Sequence, residues 1–95
     1  MKRIFKYTLT HAAEINIVSG PIIKPLTVDI QRGIPCLWAV VDTSLPDTGY
    51  EVICVGTGCQ MPDVPFDTYL NTTICEDGYI VLHWFCRALK EGAEA

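Results

Sequence analysis

The apolar run in residues 33–42 (GIPCLWAVVD) constrains the fold of this chain more than any other segment. Between Ile34 and Val41 it holds six apolar residues besides one proline and one cysteine, and Asp42 ends it. The β-branched pair at positions 40 and 41 and the bulk of Trp38 favour a strand. A short run of this kind is typical of a strand that is covered on both faces. Residues 33–42 therefore predict the central strand of a small β-protein.

A hairpin leads into this run. Residues 26–32 alternate between apolar and polar side chains, which is the pattern of a half-buried strand. Three of them are expected to face the core: Leu26, Val28 and Ile30. Arg32 and Gly33 separate the two runs, and a two-residue connection is the length that tight β-hairpins prefer.

The second half of the chain repeats the β pattern. Residues 79–86 have two apolar faces and predict another central strand, entered through Asp77-Gly78, the strongest hairpin signal in the sequence. Residues 66–75 carry polar interruptions that indicate an edge strand or a bulged strand. The prediction is an all-β fold, a compact antiparallel β-sandwich or small barrel of about six or seven short strands. Residues 1–87 would form this single domain and residues 88–95 a flexible C-terminal tail.

Charge and hydrophobicity limit the classes of partner. Of the 95 residues, 49% are hydrophobic and 19% charged, so few charges remain to cover the surface, and we expect a homo-oligomer through a strand edge or an apolar face. A net charge of −4 disfavours direct nucleic-acid binding, which needs clustered cations.

No stretch is apolar enough to span a membrane, and no export signal follows the basic start. We therefore expect a cytoplasmic protein whose five cysteines are reduced, small buried hydrophobes.

Four segments carry a resemblance to a known family. They are KRIFKYTL (residues 2–9), QRGIPCLWAVVD (31–42), GTG (56–58) and YIVLHWF (79–85). Together they resemble a family of short phage-encoded proteins of unassigned function, and the PCLWA core is the most specific part. In that family the glycine loop continues with His-Pro-Ile, whereas this chain has Cys59-Gln60-Met61 before Pro62. The resemblance implies a small accessory protein that is made in the infected bacterial cytoplasm.

Two loops, residues 43–49 and 56–65, are expected to form the functional surface. Gly56-Thr57-Gly58 follows a strand, and successive glycines can direct backbone N–H groups at an anion. No helix start follows to add its dipole, so a plain turn is the competing interpretation. The candidate binding residues are Gly56, Thr57, Gly58, Cys59, Gln60, Met61, Asp47, Tyr50 and Asp63.

The residue pattern predicts neither catalysis nor a metal site. Zinc needs about four convergent ligands, and the chain has no Cys-x-x-Cys pair and only two histidines, His11 and His83. Cys59 and His83 could be written as nucleophile and base. A reactive thiolate, however, needs a nearby cation or helix N-terminus, and the sequence places neither beside Cys59. We therefore expect a protein that is not an enzyme and holds no cofactor.

Three functional hypotheses follow. The first is a small non-enzymatic phage protein that binds and blocks a host protein, for instance a component of anti-phage defence such as a CRISPR effector. The second is a binder that sequesters a nucleotide signal with the glycine loop and nearby aromatic side chains at an oligomer interface. The third is a minor virion or assembly component. Acidic loop residues, if they converge, would suit a basic partner surface.

Overall fold

The computed structural model describes residues 1–10, 13–63, 65–66, 68–74, 78 and 80–89, and these residues form an all-β fold. Seven strands pair antiparallel in two separate sheets, one of three strands and one of four. The strands are β1 (Lys2–Thr8), β2 (Ile15–Gly20), β3 (Ile22–Gln31), β4 (Ile34–Asp42), β5 (Thr48–Gly56), β6 (Thr68–Ile74) and β7 (Val81–Leu89). The predicted all-β antiparallel fold is confirmed, and its two sheets make a small sandwich.

The three-stranded sheet has the order β1-β4-β3, so the apolar run predicted to be central lies in its central strand. Arg32 and Gly33 connect β3 to β4 with φ angles of 52° and 79°. Two consecutive positive φ angles are the signature of the type I′ turn, which confirms the predicted hairpin. The face of β4 toward the core is fully buried, but Trp38 and Val40 on its other face are only half-buried. The expectation that both faces are covered is therefore wrong for the outer face.

The four-stranded sheet has the order β2-β5-β7-β6. Strand β7 is central, as predicted, and β6 is an edge strand with a register shift between Tyr69 and Asn71. Residues 57–67 connect β5 to β6 past β7, because both strands pair antiparallel with β7. Of the predicted Asp77-Gly78 turn, the structure describes only Gly78, which has a φ of 76°.

The core lies between the sheets and is built around Trp84, which has no exposed surface. Val28, Leu37 and Val41 of the three-stranded sheet and Val52 of the four-stranded sheet belong to the same buried cluster. The indole N–H of Trp84 donates to the hydroxyl of Thr73 at 2.9 Å. Burial of this polar atom is therefore compensated by a hydrogen bond.

Two asparagine side chains, one on each edge strand of the four-stranded sheet, bond to backbone outside that sheet. Asn71 of β6 accepts a hydrogen bond from the backbone N–H of Val28 at 2.8 Å and donates to its carbonyl at 2.6 Å. Asn16 of β2 makes the same pair of bonds with the backbone of Thr10, each at 3.0 Å. We call these two contacts the amide clips. The clip at Asn71 joins the two sheets and satisfies backbone groups of β3 that face away from β4, whereas the clip at Asn16 holds the connection between β1 and β2.

Two further predictions differ from the structure. Leu26 is exposed and does not face the core, because a register shift between Pro25 and Thr27 makes it the bulged residue of β3. Strand β7 continues through Ala88 and Leu89, beyond the expected domain boundary at residue 87, since both pair with β5. Residues 90–95 of the expected tail lie outside the described residues. The described residues contain no helix that could span a membrane.

Candidate functional site

The predicted binding residues lie at the two ends of β5 and do not form one site. Tyr50 and Gly56 both belong to β5, and at about 3.3 Å per residue they are roughly 20 Å apart. Asp47 precedes the strand. Its charge, after the larger effect of burial, raises the pKa of Tyr7. Asp63 is exposed in the connection that follows Gly56. The nine predicted residues are therefore divided between the two ends of β5.

The glycine loop, residues 56–59, is a tight turn at the end of β5. The N–H of Cys59 donates to the carbonyl of Gly56 at 3.0 Å, and the N–H of Thr57 donates to the carbonyl of Val81 at 3.1 Å. Gly58 has a φ of 84°, a conformation that glycine adopts without strain. Turn formation explains the glycines, and both N–H groups are already used within the protein.

Thr57 connects this loop to His83 on the outer face of the four-stranded sheet. Its hydroxyl lies 2.7 Å from Nε2 of His83, and the hydroxyl of Thr72 lies 3.0 Å from Nδ1. A neutral imidazole donates from one nitrogen and accepts at the other, so the two threonines complement it in either tautomer. The hydroxyl of Thr72 is also hydrogen-bonded to that of Tyr69. His83 is thus held by two threonine hydroxyls, and Tyr69 extends the chain of hydrogen bonds through Thr72.

Aromatic rings pack beside this chain of hydrogen bonds. The ring centroid of Phe85 lies 4.5 Å from that of Phe66 and 5.5 Å from that of Tyr69, at interplanar angles of 44° and 58°. These are ordinary tilted aromatic pairs. Tyr69 is 54% exposed and Phe66 is 43% exposed. We call Thr57, Phe66, Tyr69, Thr72, His83 and Phe85 the aromatic face.

The neighbouring charges are compensated. Glu51 and Arg87 lie directly opposite each other on β5 and β7 and form an ion pair through Nε of the arginine. The register places this pair next to Phe85 on the same face. The aromatic face is therefore bordered by a neutralised ion pair on one side and by the glycine loop on the other.

A cleft with a volume of ≈ 330 Å³ lies on the other side of the glycine loop, and we call it the thiol cleft. Cys54, Cys59 and Gln60 are among its lining residues. Burial raises the pKa of the Cys54 thiol to about 11, so this thiol is protonated at neutral pH.

Cys59 is exposed, contrary to the expectation that the cysteines are buried, and Cys75 lies outside the described residues. Both ring nitrogens of His83 face threonines, so His83 is not placed as a base for Cys59.

Tyr50 lines a second cleft of ≈ 240 Å³ at the opposite end of β5, together with Lys24 and Pro25 of β3. This cleft shares no lining residue with the thiol cleft. Within the described part of the chain, no group of three or more His, Cys, Asp or Glu side chains could hold a metal ion. Gly56, Cys59 and Gln60 line the thiol cleft and Tyr50 lines the second cleft, so neither cleft contains all nine candidate residues.

Sequence reasoning missed Phe66 and Thr72 as members of the aromatic face. The period of two along residues 79–86 does place His83 and Phe85 on one face, so two of the six residues could be found from the pattern. Tyr69 and Thr72 are three residues apart and share that face only because the register shift in β6 inserts one residue between them. Phe66 reaches the face through an irregular connection, which no periodicity describes.

Comparison with known families gives one match that covers nearly the whole chain. Residues 1–94 match the model of a domain of unknown function, DUF7352. No curated protein and no solved structure matches the chain. The matched description names no activity, so the aromatic face is the starting point for function.

Proposed function

We propose that this chain, which belongs to the DUF7352 family, is a non-enzymatic binding protein that docks on a partner protein through the aromatic face. The main support for this proposal is a pair of exposed rings, Tyr69 and Phe66, that pack on Phe85. Aromatic side chains dominate the binding energy of protein interfaces, and tyrosine is among the most enriched. Large rings held at the surface of a small sandwich are suited to such contacts.

The rings are also pre-organised. Tyr69 is fixed at both ends, by its ring on Phe85 and by its hydroxyl on Thr72. Ordering a side chain at an interface costs about 0.5–1.5 kcal/mol, and a side chain that is already ordered avoids much of this cost. His83 is held between two threonines in the same way. The free protein thus presents the contact surface that a complex would need.

The charge of the chain suggests the character of the partner. A net charge of −4 favours association with a basic surface by electrostatic steering. The resemblance to short phage-encoded proteins supports a bacterial host protein as this partner, met in the cytoplasm of the infected cell. A component of anti-phage defence such as a CRISPR effector, blocked by occupancy, is the specific form of the proposal.

Affinity capture with a matched control tests the proposal. Wild-type protein serves as bait in host lysate, beside Tyr69→Ala and Ile4→Ala, since Ile4 is 62% exposed on the other sheet. We expect one stoichiometric partner with wild type and Ile4→Ala. Loss of a central tyrosine should weaken binding by about 2 kcal/mol, or roughly 30-fold in Kd. Equal capture by Tyr69→Ala and wild type would overturn the proposal.

A nucleotide ligand is the second candidate, and one contact favours it. Thr57 of the glycine loop is hydrogen-bonded to His83, which lies on the same face of β7 as Phe85. A ligand that binds only the folded state raises the melting temperature by mass action. A panel of cyclic and signalling nucleotides should therefore produce a shift with one member if this candidate is correct. No shift across the panel removes it.

A further inference from the structure

The free edge of β2 offers unused backbone hydrogen bonds. The N–H of Cys54 donates to the carbonyl of Glu14 at 2.8 Å, which identifies residues 14 and 54 as a hydrogen-bonded pair. Such pairs alternate along an antiparallel ladder, so residues 16, 18 and 20 also bond to β5. The N–H and C=O groups of Ile15, Ile17 and Ser19 then point away from β5. No strand of the described chain pairs with β2 on that side.

The other edge strands carry features that prevent strand addition, and β2 does not. Strand β1 has Lys2, Arg3 and Lys6, and charged side chains on an edge oppose pairing. Strands β3 and β6 have register shifts, and they are joined to each other by the amide clip between Asn71 and Val28. Strand β2 (INIVSG) has no charge and no proline, and its register with β5 is regular. Its amide clip uses only the side chain of Asn16, and β2 is the one described edge strand with neither a charged side chain nor a register shift.

We propose that β2 pairs antiparallel with β2 of a second copy of this chain, with Ile17 on the two-fold axis. Charge favours a second copy of β2 as the pairing strand. An uncharged strand pairs with its own copy without repulsion, whereas pairing of β1 with β1 would place cations opposite each other. Ile17 is 67% exposed, and its partner copy would cover it. Because its N–H and C=O are free, Ile17 would form a hydrogen-bonded pair with Ile17 of the second copy. The two four-stranded sheets then become one continuous sheet of eight strands.

The symmetry of this pairing decides how the two copies are oriented. A two-fold axis between antiparallel strands is perpendicular to the sheet, so the outer faces of both copies lie on the same side. If the proposed function is correct, the dimer presents two aromatic faces together and gains avidity.

The mass of the purified protein in solution tests the pairing without any partner present. Light scattering is expected to give twice the chain mass of 10.5 kDa for wild type. Ile17→Lys places two like charges opposite each other and is expected to give the monomer mass. Ile4→Lys and Ile74→Lys are the matched controls, since these residues are 62% and 63% exposed on other strands, and both should stay dimeric. Circular dichroism of each variant shows that it is folded.

A charge exchange gives the second arm of the test. Ile17→Lys mixed with Ile17→Asp places opposite charges on the axis and is expected to restore the dimer mass, with one chain of each kind. A monomeric wild type would overturn the pairing, and so would a dimeric Ile17→Lys protein or loss of the dimer in both control variants. These outcomes are independent of partner capture, so failure of the pairing and failure of the proposed function are distinguishable.

Discussion

The carboxamide of Asn71 pairs with both backbone polar groups of Val28, and so joins the edge of one sheet to the edge of the other. Val28 is fully buried, and its N–H and C=O are the groups that β4 does not use. Asn71 directs its side chain to this point at the register shift in β6. One side chain thus makes the two hydrogen bonds with Val28 that a neighbouring strand would otherwise make.

Removing this amide should destabilise the fold more than removing the equivalent amide of Asn16. Asn71→Ala leaves the N–H of buried Val28 unpaired and its carbonyl with only the long bond from the Thr27 hydroxyl at 3.5 Å, which should lower the free energy of unfolding by about 2–3 kcal/mol. Asn16→Ala breaks bonds that are exposed to solvent, where water takes over, and should cost about 1 kcal/mol or less. Urea unfolding of both variants measures the difference. Equal losses of unfolding free energy in the two variants would contradict the role of Asn71 in joining the two sheets.

Tyr7 and Gly20 should be energetically coupled. The Tyr7 hydroxyl is buried and has no hydrogen-bond partner among the described residues, so Tyr7→Phe should be neutral or stabilise by about 1 kcal/mol. A Cβ at Gly20 would overlap that hydroxyl oxygen, so Gly20→Ala should destabilise by about 1–3 kcal/mol. In the double variant the obstructing atom is gone. Thermal unfolding of the wild type, both single variants and the double variant should show that Gly20→Ala costs less stability when residue 7 is phenylalanine. Additive effects of the two substitutions would argue against the contact.

Asp42 should make stability depend on acid pH. The hydroxyl and the N–H of Ser44, and then the N-terminal ammonium, hold the pKa of its carboxyl well below the ordinary value. A pKa that is lowered by folding gives stability above the unfolded value of about 4, and this stability is lost as pH falls toward the folded value. Asp42→Asn should therefore be less stable than wild type at neutral pH, and the difference should shrink below about pH 4. A difference that stays constant from neutral to acid pH would exclude this assignment.

The cysteines should differ in their reactivity with a thiol reagent. Cys59 is exposed, whereas Cys36 and Cys86 are buried and burial raises the pKa of Cys54 to about 11. Iodoacetamide reacts with the thiolate, so native protein at pH 8 should be labelled at Cys59 long before these three positions. Peptide mapping by mass spectrometry gives the order directly. Early labelling of Cys54 would mean that the thiol cleft opens in solution.

Local pattern was enough to predict the hairpin at Arg32 and Gly33, because the turn type follows from two residues and the flanking alternation. The exposure of Leu26 was not predictable in this way, since the register shift beside Pro25 breaks the period of two. The distance between the candidate residues was not predictable either. Loop composition identified both ends of β5, but composition has no information on the distance between Tyr50 and Gly56. The aromatic face depends on a bulge and an irregular connection, which only the folded chain brings together.

Site-specific photo-crosslinking tests the aromatic face most directly. A benzoylphenylalanine at position 69 keeps a ring at the proposed contact, and the same residue at position 4 places an equally exposed probe on the other sheet. Irradiation in host lysate should give one discrete adduct with a host protein from position 69, which excess wild-type protein competes away. Position 4 should give no such adduct. Absence of an adduct at position 69, or the same adduct from both positions, would contradict the proposed binding surface.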